Sequence, residues 1–302
     1  MYSRDELLKF SIYNTYEQYI NPNLIYKTFD ISLNFGENLF NLSKKTLRSF
    51  LKDKCLFNEE QIHKLINLFD IFLDDEIKKI YSDCEKNKIT LLFYNYDNYP
   101  QTLLNIKKAP YVLYSKGIFN FNHLKTVALV GTRNISNEGK AFTTNIAKFL
   151  KENNFFNISG LALGVDTIGH IETLGQTAAV LAQGLLTEIY PKENKKLAED
   201  ILKNKGFLLS ELPPHTNISV NKLIKRNRIQ SGLSTAILIA ETDIKGGTVH
   251  TFKYAKEQNK KIFIADFNKN FIEKYRKDLI IIKDKEDFFQ KFKNAFSQKS
   301  LF

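Results

Sequence analysis

Residues 125–134 read KTVALVGTRN. Val127, Ala128, Leu129 and Val130 form an aliphatic run with no polar interruption, closed by Gly131. A short continuous apolar run of this kind suits a strand buried on both faces of a parallel sheet, and the glycine lets the backbone turn sharply after it. Gly139 and the run AFTTNIAKFL (141–150) follow with helical character. The stretch is therefore a strand–loop–helix unit of the mononucleotide-binding kind, with Arg133 placed where a phosphate would sit against the helix N-terminus. The question is whether that phosphate belongs to a small cofactor or to a nucleic acid.

Working outward, strands at 127–130, 156–159, 177–181, 207–209, 235–240, 261–265 and 279–282 alternate with helices at 139–152, 166–174, 193–204, 219–231 and 248–258. This alternation predicts an α/β chain with a doubly wound, mostly parallel Rossmann-like sheet. Residues 1–88 read as a small helical domain. Leu7, Leu8 and Ile12, then Leu24, Ile25 and Phe29, recur at helical spacing. Asn58 and Gln61 form a capping box ahead of Ile62, Leu65, Ile66 and Phe69, and 74–87 is a further amphipathic helix. His63 reads as a surface or packing residue. ITLLFY (89–94) and 111–114 read as short strands in an interdomain segment, 89–122, leaving 123–302 as the large domain.

Composition narrows the function. The 302 residues are 43% hydrophobic, with 25 Phe and 14 Tyr against 1 Met and no Trp. No apolar run approaches the ~18 residues of a membrane span, and MYSRDELLKF lacks a signal-peptide core, so a cytoplasmic protein without a membrane partner is expected. Cys55 and Cys84 lack paired spacing and read as buried thiols. Residues 1–122 carry 16 Lys/Arg against 15 Asp/Glu, whereas 123–302 carry 28 against 18. Nearly all of the net +11 thus belongs to the sheet domain, and a basic domain attracts polyanions.

In a doubly wound sheet, ligands bind beyond the carboxyl ends of the strands. Five loops lie there: 131–134, 159–166, 183–185, 210–211 and 241–248. Four contain glycine, which lets backbone N–H groups approach phosphate. NKLIKRNRIQSGLS (221–234) adds Lys222, Lys225, Arg226 and Arg228 within seven residues, a density suited to a phosphodiester track. One of Arg226 and Arg228 could equally be a structural ion-pair partner. Ser159 and Ser210 with His170, His215 and His250 are conceivable hydrolytic groups, but GxSxG, HExxH and paired-cysteine zinc spacings are missing. His170 reads as packing and Asp166 as a helix N-cap. Without GxGxxG after 127–130, a dinucleotide cofactor is disfavoured; no catalytic residue, metal or cofactor is assigned.

In order along the chain stand VGTR (130–133), SGLALGVDTIGH (159–170), LAQGLLTEIYPKEN (181–194), LSELPP (209–214), KRNRIQSGLS (225–234) and GGT (246–248). Together they resemble the DNA-processing protein A (DprA/Smf) family. YPQTLLNIKKAPYVLYSKG (99–117) resembles that family's interdomain entry, and the helical N-terminus its sterile-alpha-motif-like (SAM-like) domain. The resemblance implies a homodimeric, non-enzymatic protein that binds single-stranded DNA. It would protect incoming strands and help load the RecA recombinase in natural transformation. Carried over by motif position, Arg133 contacts phosphate beside Asn134. Lys225, Arg226, Asn227 and Arg228 line a basic pocket, and Gly246, Gly247 and Thr248 give backbone and hydroxyl contacts. Gly160 and Gly184 complete the DNA-binding set.

The chain departs from the family pattern at Leu163, usually arginine, at Gln183, usually small, and at 265–267, usually glycine-rich. A C-terminal winged helix is not expected. The alternative is a Rossmann-fold nucleotide hydrolase of the lysine-decarboxylase-like phosphoribohydrolase type, whose GGxGTxxE loop is matched by 246–252 without the glutamate. A sensor or defence component on the same fold is a third reading.

Overall fold

A computed structural model describes residues 1–117, 121 and 125–296. The expected boundary at 122/123 lies outside the described residues. Local signals start most of the N-terminal helices. Ser3 and Glu6 form a capping box on α1 (Arg4–Tyr13). Pro22 opens α2 (Pro22–Asn34), Ser43 caps α3 (Lys44–Asp53), and the Asn58–Gln61 box starts α4 (Glu59–Phe69) as expected. An acidic first turn opens α5 (Asp74–Lys86).

There follow β1 (Ile89–Phe93), α6 (Gln101–Leu104), β2 (Val112–Gly117), β3 (Lys125–Val130), α7 (Asn137–Glu152), β4 (Phe155–Ser159), α8 (Val165–Glu172) and β5 (Thr177–Val180). Then come α9 (Lys195–Lys203), β6 (Phe207–Ser210), α10 (Val220–Leu233), β7 (Ala236–Ile239), α11 (Thr248–Glu257), β8 (Lys261–Ala265), α12 (Lys269–Tyr275), β9 (Ile280–Ile282) and α13 (Lys285–Phe296). Three helices, α6, α12 and α13, went unforeseen. The signal for α13 is present in Phe288 and Phe292, four apart and buried, after an Asp284 that accepts from the Asp287 N–H at 2.8 Å.

The strands form one nine-stranded sheet in the order β1-β2-β6-β5-β4-β3-β7-β8-β9. From β6 to β9 every pairing is parallel. The short strands of 89–117 extend this sheet as an antiparallel edge, β2 pairing with β6. On β3, Val127, Ala128 and Leu129 are fully buried, because parallel crossovers place helices over both faces. The N-terminal helices share a core with the sheet. Tyr111 lies stacked on Tyr26 at 4.9 Å between centroids, with Phe29 edge-on at 4.8 Å. Both cysteines are buried and free.

Candidate nucleic-acid interface

Strand order reverses around β3. Its chain successors β4, β5 and β6 step away on one side, and β7, β8 and β9 on the other. The loops leaving β3 and β7 therefore diverge and open a crevice at the switch point. It has a volume of about 510 Å³ and is lined by Arg133, Asn134, Arg226, Asn227, Gly246 and Thr248 among others. The Arg133 loop is held from two sides. Thr132 N–H donates to the Glu241 carbonyl at 2.7 Å, and Val165 N–H donates to the Thr132 carbonyl at 3.2 Å. Arg133 and Asn134 remain exposed.

Helical periodicity sorts the cations of α10. Leu223, Arg226, Asn227 and Gln230, at i, i+3, i+4 and i+7, face the crevice. Arg226 is buried, and its guanidinium donates to the Val180 carbonyl while its Nε has no hydrogen-bond partner. It lies where a Cβ on Gly160 would stand, so a side chain there would have to push the guanidinium aside. Burial pulls the Arg226 pKa down to about 10; Asp166 opposes this and Arg133 adds to it by like-charge repulsion.

Lys225 and Arg228, expected in the basic pocket, face the N-terminal helices instead. Lys225 Nζ donates to Glu17 at 2.6 Å. Arg228 makes a bidentate pair with Glu211 at 2.5 and 2.7 Å and donates to the Tyr26 hydroxyl at 2.9 Å. Burial alone would lower the Arg228 pKa, but the Glu211 carboxylate outweighs it and holds the value above the ordinary range. Of the two open readings for the Arg226/Arg228 pair, the ion-pair role thus falls to Arg228.

Asp166 is not the N-cap of α8. Gly164 holds that position with φ of +78°, and a Cβ there would run into the carbonyls of Thr132 and Arg133. Asp166 sits in the first turn, buried, its Oδ2 accepting from Gly160 N–H at 2.9 Å and Ala162 N–H at 3.2 Å. Burial raises its pKa while Arg226 pulls the other way. Gly184 lies outside the crevice, against the Pro213 and Pro214 carbonyls, its N–H donating to Thr216 at 2.8 Å. Around Gly247, by contrast, nothing stands within 4 Å of a notional Cβ, so that glycine leaves room for an incoming group. Thr248 follows as the first residue of α11.

Several residues that shape the crevice escaped the sequence reading. Tyr190, 44% exposed, lines both the crevice and a neighbouring hollow of about 720 Å³. Its N–H donates to Gln183 Oε1 at 3.2 Å, so the glutamine that departs from the family pattern braces this turn. Asn268 accepts from Thr242 N–H at 2.7 Å and donates to the Ala240 and Ala265 carbonyls, tying the β7–α11 loop to β8. Phe267 packs edge-on against Phe142 at 5.6 Å, and Leu163 lies half-exposed beside Arg133 and Tyr190.

The hydrolytic candidates are scattered. Ser159 donates to the Leu129 carbonyl and Ser210 accepts from Leu212 N–H. His170 is buried against Thr177 at 2.7 Å, and His215 pairs with Asp83 at 2.9 Å. Phe252, the last residue of the stretch that matches the nucleotide hydrolases' loop without its glutamate, is in the core against Phe271. Among the described residues no His/Cys/Asp/Glu group is arranged to hold a metal, and no helix is long and apolar enough to cross a membrane.

Comparison with known proteins agrees with this architecture. A family model described as DNA recombination-mediator protein A matches residues 90–294. Protein Smf of Synechocystis is 38% identical over 173 residues, covering 55% of this chain and 43% of that protein. The chain spans about half the length of the curated relatives it matches. The X-ray structure of DNA processing protein A from Streptococcus pneumoniae superposes with a TM-score of 0.74 at 25% identity, covering 93% of this chain and 97% of that one. DNA processing protein A from Helicobacter pylori, whose structure is described for its single-stranded DNA binding mode, gives 0.63 at 25% identity over 69% of this chain and 97% of that one.

Proposed function

Because this chain belongs to the DNA recombination-mediator protein A family, we propose that it is a non-enzymatic protein that binds single-stranded DNA in the switch-point crevice. The observation that carries this reading is the Arg133–Arg226 pair. Two like charges close enough to repel line one crevice; Asp166 answers part of the Arg226 charge, and among the described residues Arg133 has no ion-pair partner. Such a pair is relieved by an anion between them, and a run of phosphates is an anion that an open groove accommodates. Asn134, Asn227, Gly246, Gly247 and Thr248 supply further donors along the same wall. Lys225 and Arg228 brace α10. The wider role is that of the family resemblance: a cytoplasmic homodimer that protects incoming strands and helps load RecA in natural transformation.

Fluorescence anisotropy with labelled oligo-dT across a potassium chloride series tests the site. Affinity is expected to fall steeply with salt, and Arg133→Ala should weaken binding and lower the slope of log K against log salt by about 1. Salt-independent binding, or unchanged affinity in the Arg133→Ala/Arg226→Met double variant, would overturn it. RecA assembly on SSB-coated strands and the mass in solution test the loading and dimer parts.

A further inference from the structure

The N-terminus of α7 is where a mononucleotide fold seats a phosphate, because free N–H groups and the helix dipole converge there. In this chain a carboxylate already stands at that seat. Glu241 leaves β7, crosses the switch point, and its Oε2 accepts from the Ser136 N–H at 2.9 Å and the Ser136 hydroxyl at 3.1 Å. Ser136 is the N-cap of α7, its Oγ accepting from Gly139 N–H at 3.0 Å. A Cβ on Gly139 would run into the same Oε2, so the carboxylate lies flush against the first turn.

The other end of the residue grips the same loop. The Glu241 carbonyl accepts from Thr132 N–H at 2.7 Å, so one residue holds the chain on both sides of Arg133. Among the described residues no cation lies within ion-pair distance of Glu241; its charge is answered by the helix end. We propose that Glu241 is a positioning residue, a built-in anion that takes the phosphate seat of α7 and thereby turns Arg133 toward the open crevice. The inference rests on the crevice being the DNA site. It adds that Arg133 is effective only while the Glu241 side-chain oxygen holds its loop.

Oligo-dT anisotropy at constant ionic strength tests it on wild type, Glu241→Ala, Glu241→Gln, Arg133→Ala and the Arg133→Ala/Glu241→Ala double variant. Glu241→Ala should weaken binding about tenfold through loss of two charge-assisted hydrogen bonds. Glu241→Gln, whose amide oxygen accepts from the same donors, should stay within about threefold. Formate exchanged for chloride should restore Glu241→Ala and leave wild type unchanged. The double variant should bind no worse than Arg133→Ala alone. Wild-type affinity in Glu241→Ala, or full additivity of the two losses, would overturn the proposal. If Glu241→Ala folds poorly, Glu241→Asp, with its carboxylate drawn back from Ser136, carries the same additivity test. Failure of wild type itself to bind oligo-dT would instead defeat the DNA reading.

Discussion

Arg226 and Arg228 stand two positions apart in one helix and meet opposite surroundings. Arg226 lies against a glycine with part of its guanidinium unpaired, while Arg228 is saturated by Glu211, Tyr26 and the Lys108 carbonyl. Gly160→Ala should therefore act through Arg226. The added methyl displaces a side-chain terminus rather than backbone, so oligo-dT affinity should drop about tenfold while the urea midpoint moves little. His170 makes a different prediction. Burial, with Arg226 adding to it, pulls its pKa from 6.5 down to about 3. Between those values the unfolded chain binds a proton that the folded chain refuses. Stability from this group is thus full above about pH 6.5 and falls with pH, by up to ~1.4 kcal/mol per unit. Urea unfolding of wild type and His170→Leu at pH 7 and 4.5 should show the wild type losing more, by over ~1 kcal/mol; equal losses would refute it. Asp166, whose raised pKa works in the opposite sense, is common to both chains and cancels in the comparison. At this scale the residue types were readable and their partners were not, since Glu211, Gly160 and Glu17 are distant in sequence from the arginines and lysine they meet.

At the scale of elements, α10 is a sorting device. Its 3.6-residue repeat sends Arg226 and Asn227 into the crevice and Lys225 and Arg228 toward α1 and α2. Removing one partner of a buried ion pair strands the other charge, so Arg228→Met should cost about 3–5 kcal/mol by urea unfolding. Adding Glu211→Leu should recover much of that loss, and the salt dependence of oligo-dT binding should stay as in wild type. A change of slope in Arg228→Met would return that residue to the DNA site. The alternating strands and helices were legible because burial imposes uniform apolar runs on parallel strands and 3.6-residue stripes on helices. The face each α10 cation takes was written in the same repeat, but which face meets solvent depends on where α2 and β6 lie.

Across the whole molecule, one sheet unites the parallel strands with the edge at 89–117, and the N-terminal helices pack on it through Phe10, Tyr26, Phe29, Tyr111 and Tyr114. A shared core of this kind predicts one cooperative transition: far-UV circular dichroism and tyrosine fluorescence should trace coincident urea curves, whereas separate midpoints would show independent units. Tyr111→Ala, which empties the centre of that contact, should lower stability by about 3–5 kcal/mol. KTVALVGTRN was enough by itself to specify a buried parallel strand, a sharp turn and an exposed arginine, because apolar continuity and a glycine act within a few residues. The order of motifs likewise carried the family. Only the tertiary structure decided that β3 lies at the reversal of strand order, that Arg226 joins Arg133 across the crevice while Arg228 does not, and that Glu241 occupies the end of α7. Each of those depends on contacts between residues far apart in sequence, and strand order and packing, not local pattern, bring them together.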